Sequence, residues 1–211
     1  MKLLTAILVL ALFATGAMAQ RTVDYDWETG GSVLGIYSDM ICTNVDATGG
    51  NQVHAGTYAL RCEDAAASGT PQGYVGFVWG LQNGDEVTAS FYRYDDTPGV
   101  APNCRIWGHW NDSLPGDPSG YDGSASGQSD YGPGLGWDQT SHTWTAADGH
   151  TGLVIEVRTY SSAGHTVWID DLQIIAPEHC WIQTPGFIVE PDGSTVSDEF
   201  RTFGDVKVLY R

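Results

Sequence analysis

The residues most loaded with chemistry are two adjacent acids, Asp170 and Asp171, set between Ile169 and Leu172 in TVWIDDLQII. A carboxylate inside an apolar run is costly to bury unless its charge is compensated. Calcium is one such compensation, because it gathers about six to eight oxygens and pins a loop against a strand end. Asp24, Asp26 and Glu28 in VDYDWETGG are the acids available to share it. The other reading needs no ion: one Asp faces solvent and its neighbour accepts backbone N–H bonds.

The elements that must position these acids are read from hydrophobic period. Thr151–Ile175 reads as a hairpin, two strands joined by a short Ser/Ala/Gly turn, with Leu153, Ile155 and Val157 alternating against Val154, Glu156 and Arg158. Further strands are expected at Thr57–Glu63, Tyr74–Leu81, Glu86–Tyr94, Cys104–Trp110 and Thr140–Thr145. Asn83-Gly84 reads as a hairpin turn between two of them. No stretch of ten residues in the region after the leader has helical period. Many short strands of this spacing predict an all-β fold, a β-sandwich jelly roll. Asn111–Gly136 is rich in Gly, Ser, Asp and Pro and reads as a long loop; its acids do not follow an EF-hand spacing.

Composition bounds the function classes. The formal charge is −17 with nine Lys and Arg, which disfavours nucleic acid and anionic lipid as partners. Lys2, the apolar run Leu3–Phe13 and Ala17-Met18-Ala19 read as a signal peptide over residues 1–19, too short to span a bilayer. The expected product is therefore secreted, with no membrane insertion. A single β-sandwich domain is expected over 20–176. Residues 177–211 read as a C-terminal extension or linker, with a strand at Gly186–Glu190 and a terminal segment able to form one short helix. Cys42, Cys62, Cys104 and Cys180 suit an oxidising compartment and up to two disulfides in any of the three pairings.

The four stretches YDWETGG, VHAGTYALR, GDEVTASFY and VWIDDLQI, in this order, resemble a carbohydrate-binding module of the galactose-binding-like jelly-roll type, in the group of families four, nine and twenty-two. The resemblance covers Val23–Ile175. It implies a structural calcium held by Glu28 with Asp170 or Asp171, completed by backbone carbonyls near Thr57. It also implies a polysaccharide or glycan ligand. Sugars offer apolar C–H faces and many hydroxyls, so their sites need flat rings beside a few polar groups. Tyr92, Tyr94, Trp107 and His109 fall on the polar-facing alternation of adjacent predicted strands, and Arg93 and Arg105 can reach hydroxyls. Trp110, Tyr121, Tyr131 and Trp137 can form a rim. The bland alternative is that these rings are core.

Enzyme readings fare worse. The six His are scattered without H-E-x-x-H spacing, there is no G-x-S-x-G, and Gly132–Gly136 lacks the flanking strand and helix of a nucleotide loop. The expectation is a non-catalytic glycan-binding module. Its main competitor is a structural or adhesive module that binds an extracellular or cell-surface protein, and a third reading is a small polysaccharide-degrading enzyme.

Overall fold

A computed structural model describes residues 19–95, 104–113, 115–132, 135–160 and 163–197. Among them are fourteen strands and no helix, in two antiparallel sheets. The first sheet runs β3 (Met40–Asp46), β4 (Tyr58–Asp64), β11 (Thr166–Pro177), β6 (Glu86–Asp95), β9 (Gly136–Thr145), with β1 (Gln20–Tyr25) also on β11. The second runs β14 (Thr195–Ser197), β13 (Phe187–Val189), β12 (Trp181–Gln183), β5 (Gln72–Trp79), β10 (Gly152–Thr159), β7 (Cys104–Trp110), β8 (Gly123–Gly127), with β2 (Gly35–Tyr37) also on β5. This is a β-sandwich jelly roll. Its core lies between the sheets, where Leu60, Phe91, Val167, Ile169 and Ile174 of the first meet Ile106, Leu153, Ile155 and Val157 of the second.

Both expected hairpins prove to be crossings between sheets. β5 and β6 flank Asn83-Gly84 yet lie in opposite sheets, as do β10 and β11. The reason is packing: each of these strands has one strongly apolar face, and two such faces bury more area stacked across a sandwich than paired edge to edge. Turn residues reverse the chain either way. The expected long loop contains β8, whose GSASG carries no apolar signal but pairs with β7 from Trp107 to Trp110.

The boundary expected at residue 176 falls inside β11, and the presumed linker supplies three strands. Ile182 pairs with Val78 of β5 and with Val189, and Ile188 pairs with Val196. Together with Phe77, Trp79 and Val154, Ile188 forms a second small apolar cluster. The expected terminal helix and residues 1–18 of the signal segment lie outside the described residues.

Cys42 and Cys62 face each other across β3 and β4 with their sulfurs 3.8 Å apart. The two other thiols do not complete a second pair: Cys104 is buried beside Arg93 and Asp138, and Cys180 beside Asp85. Burial pushes both thiols up to about 12. No helix among the described residues is long and apolar enough to cross a membrane.

Candidate functional site

Asp170 and Asp171 sit where β11 changes partner. Its first four residues pair with β4 and its last six with β1, and the ladder to β6 slips between Asp170 and Gln173. Asp171 takes φ 49°, a left-handed conformation that Asp tolerates. This β-bulge resets the alternation, so that Leu172 and Ile174 return to the core. Asp170 is fully buried, and its carboxylate accepts the N–H groups of His54 (2.9 Å), Ala55 (3.1 Å) and Asp171 (2.8 Å). Asp171 faces outward and meets His54 Nδ1 at 2.6 Å.

Glu28 grips the same loop further on. Its Oε1 accepts N–H bonds from Thr57 (2.5 Å) and Tyr58 (2.8 Å), which hold its carboxyl below the usual range. A side chain at Gly56, where φ is +69°, would collide with Glu28. The two acids expected to share calcium therefore bracket one loop, both through amides. Thr57 meets Glu28 by its N–H, and Asp171 is engaged with His54. One feature still suits a hard cation: burial pushes Asp170 up to about 6 despite its three N–H bonds, so its negative charge is only partly compensated.

The outer face of the first sheet carries an aromatic row. Strand register aligns Thr43, Arg61, Trp168, Tyr94 and Trp137 across β3, β4, β11, β6 and β9. Tyr94 packs edge-on to Trp137 (5.4 Å between centroids) and to Trp168 (5.8 Å). One residue pair along, His54 stacks on Tyr92 at 3.7 Å and lies edge-on to Trp137 at 5.2 Å. At the β4–β11 end the row opens into a cleft of about 390 Å³, lined by Gly49, Gly50, Asn51, Arg61, His165 and Trp168 among others. Arg61 is held by Glu63 (2.8 Å) and Thr166 (3.2 Å), while His165 Nδ1 is buried with no partner among the described residues.

The outer face of the second sheet is built differently. Tyr74, Glu156 and Trp107 align across β5, β10 and β7. Glu156 is fully buried; one oxygen meets His109 Nδ1 in a short contact and the other accepts from Arg158 Nε at 2.5 Å. His109 Nε2 donates to the Gly120 carbonyl at 3.0 Å, so both ring nitrogens face oxygen acceptors. Arg105 lies over the rings of Trp107 (4.8 Å), Tyr131 (4.4 Å) and Tyr160 (4.1 Å), and Arg158 also lies over Trp107 (4.8 Å). Guanidinium groups thus occupy ring faces that a sugar would use.

The six aromatic candidates therefore divide. Tyr92, Tyr94 and Trp137 share the first face. Trp107 and His109 lie on the second, His109 buried, so the expectation that all four strand residues sit on adjacent strands is corrected: β6 and β7 belong to opposite sheets. Trp110 aligns with core Leu153 and stacks on His150 at 4.8 Å. Arg93 points into the sandwich, where Asp138, Asp130 and the Cys104 carbonyl bind it. His54, Arg61 and Trp168 were not among the candidates. Trp168 had a signal, since it alternates out of phase with Val167 and Ile169; His54 and Arg61 are placed by the loop and by register, which period alone does not reveal.

No protein-family profile matches the chain, and no curated protein is similar to it in sequence. Solved structures are similar in architecture. A xylan-binding family 22 carbohydrate-binding domain from Paenibacillus barcinonensis shares 14% identity over 76% of this chain and 97% of its own, with a TM-score of 0.47. The K1 cleaved adhesin domain of Lys-gingipain from Porphyromonas gingivalis shares 16% over 73% and 97%, with a TM-score of 0.43. A family 27 carbohydrate-binding module from Caldicellulosiruptor saccharolyticus, solved with mannohexaose, shares 13% over 72% and 96%, with a TM-score of 0.39.

Proposed function

We propose that this chain is an exported, non-catalytic carbohydrate-binding module that takes a short stretch of polysaccharide or glycan across the outer face of its first sheet. The observation that carries the reading is the row from Arg61 through Trp168 and Tyr94 to Trp137, ending in the cleft. Strands lie about 4.8 Å apart, so the row spans roughly 19 Å including Thr43, the reach of a short oligosaccharide lying across the strands. Tyr94 and Trp137 offer partly exposed ring surface for stacking, and Arg61, Asn51 and His165 offer hydroxyl partners in the cleft. None of the described residues lining the cleft is a carboxylate, so the acid pair that glycoside hydrolysis needs is not among them. Glu28 and Asp170 would hold a structural calcium, whose double charge would offset the buried carboxylate and tie the 54–58 loop to both chain segments.

The test is retention on a panel of soluble and insoluble polysaccharides with calcium present. Retention on one sugar class, lost in Trp137→Ala with the fold intact, is the expected result; no retention on any polysaccharide would sink the reading. A specific observation favours one second reading, a protein-binding module: Ile36, Tyr37 and Ile41 are exposed at 55%, 59% and 48% on β2 and the edge strand β3. Loss of partner-cell adhesion in Ile36→Lys/Ile41→Lys, without change on sugars, would support it.

A further inference from the structure

Three dissimilar metal-ligating groups come together outside the site described above. Asp85, His179 and Cys180 bring a carboxylate oxygen, an imidazole nitrogen and a sulfur within 4.8 Å of one another, and they are the only such trio of His, Cys, Asp or Glu among the described residues. We propose that they form a transition-metal site of the zinc class, which clips the first sheet to the second.

The backbone holds both contributing turns in place. Asp85 closes the Asn83-Gly84 turn just before β6: its N–H donates to the Gln82 carbonyl (3.0 Å), its carbonyl accepts from Ala146 (2.8 Å), and its Oδ2 accepts the Gln82 N–H (2.8 Å). Cys180 closes the turn between β11 and β12, its N–H donating to the Pro177 carbonyl at 3.0 Å, and the neighbouring Glu178 N–H donates to Ala19 at 3.0 Å. β6 belongs to the first sheet and β12 to the second, so an ion here joins the two layers.

The donor set selects the ion. Sulfur and imidazole suit zinc and its neighbours, whereas calcium and magnesium prefer all-oxygen sites. Cys180 and Asp85 are buried, and His179, 29% exposed, is the side of the trio open to solvent. Without an ion, His179 Nε2 meets Asp85 Oδ2 at 2.9 Å and the thiol keeps its proton, which burial and the Asp85 charge both favour. An ion here would be held by the Cys180 thiolate, its proton passing to solvent, by His179 Nε2 and by the Asp85 carboxylate. Cys180 is a free, buried thiol whose charged neighbour is Asp85, while Cys62 faces Cys42. A buried thiol beside a carboxylate is also a poor nucleophile, which argues against a catalytic role.

The full-length exported chain, stripped with chelator and kept reduced, is titrated with cobalt(II) as a spectroscopic substitute for zinc. The expected result is one cobalt per chain with a thiolate-to-cobalt charge-transfer band in the near ultraviolet, displaced by zinc. Cys180→Ser removes the band, and His179→Gln, at the exposed side, weakens affinity by at least about tenfold. If Cys180→Ser does not fold, His179→Gln and Asp85→Asn carry the test. No band in the parent chain, or unchanged affinity in His179→Gln, overturns the site. A band that persists in Cys180→Ser does so too, by assigning the metal to Cys42 and Cys62. Calcium at Glu28 and Asp170 produces no thiolate band, so the outcome is independent of that assignment.

Discussion

Glu156 and Asp170 are both fully buried acids facing outward from their sheets, yet their surroundings treat them in opposite ways. Glu156, on the second sheet, has Arg158 and His109 within hydrogen-bond reach, and two arginines are drawn over the rings around it. Its charge is answered by the chain itself. Asp170, on the first sheet, has only amide N–H groups and lies at about 6. The contrast extends to the aromatics. On the second sheet cations fill the ring faces, and the unpartnered Arg105 Nε lies among the rings that its guanidinium covers; on the first the rings border a cleft containing an unpartnered His165 Nδ1. A charge network completed around Glu156 makes a rigid floor; an unmet polar group that borders a cleft is where a ligand gains affinity.

The largest effect should come from breaking the completed network. Glu156→Gln removes the charge that His109 and Arg158 enclose, and loss of one partner of a buried ion pair costs about 3–5 kcal/mol. Urea denaturation measures it, and sugar retention by the fraction still folded should be unchanged. A loss under about 1 kcal/mol would mean that solvent reaches Glu156 and that the second face is open after all.

The other acid makes a prediction with a sign. The folded carboxyl of Asp170 lies near 6 and its ordinary value is 3.8, so above pH 6 its ionisation costs the folded state up to about 3 kcal/mol. This cost is relieved as pH falls from 6 towards 4, where the folded state keeps the proton and the unfolded state does not. A cation at Glu28 and Asp170 relieves the same cost without acid. Calcium should therefore raise the melting temperature by roughly 5–10 °C at about pH 7.5 and by much less at about pH 4.5. An equal rise at both pH values would detach calcium from Asp170, and no rise after thorough chelation and refilling would remove it.

Trp137→Ala and Trp107→Ala set the two faces against each other directly. Loss of one stacking ring should weaken glycan binding by about 1–3 kcal/mol, tenfold or more, in Trp137→Ala, with little loss of stability because the ring is partly exposed. Trp107→Ala should leave binding intact and lower stability, since it strips the platform beneath Arg105 and Arg158. The reverse pattern, measured by affinity electrophoresis, would move the ligand to the second sheet.

Much of this comparison was legible in the sequence, but not its geography. Alternation located β6, β7, β10 and β11 within a few residues, because Val87, Ala89 and Phe91, or Leu153, Ile155 and Val157, must share a buried face. Period does not say which sheet a strand joins, and so Tyr92 and Trp107 were expected side by side. The adjacent acids drew notice for their charge, while their structural role was readable from the spacing: Ile169, Leu172 and Ile174 share the core only if one residue is bulged between them. The tail was harder still, because three-residue strands such as Trp181–Gln183 are shorter than any period can register.

The smallest expected effects test whether the cleft is a site or only a gap between loops. Arg61→Gln breaks a partly exposed pair with Glu63, and such pairs contribute about 0–1 kcal/mol, so stability should hardly move. Binding should still weaken by about 1 kcal/mol if Arg61 donates to a sugar hydroxyl. His165→Phe is sharper, because binding and stability should move in opposite directions. It removes an unpartnered buried nitrogen, which should leave stability equal or slightly higher, and it removes a hydrogen-bond group from the cleft, which should weaken sugar binding by roughly fivefold. Should His165→Phe destabilise the chain and leave retention unchanged, Nδ1 is satisfied by bound water in a purely structural setting, and the ligand-facing end of the row would have to be sought beyond Trp137.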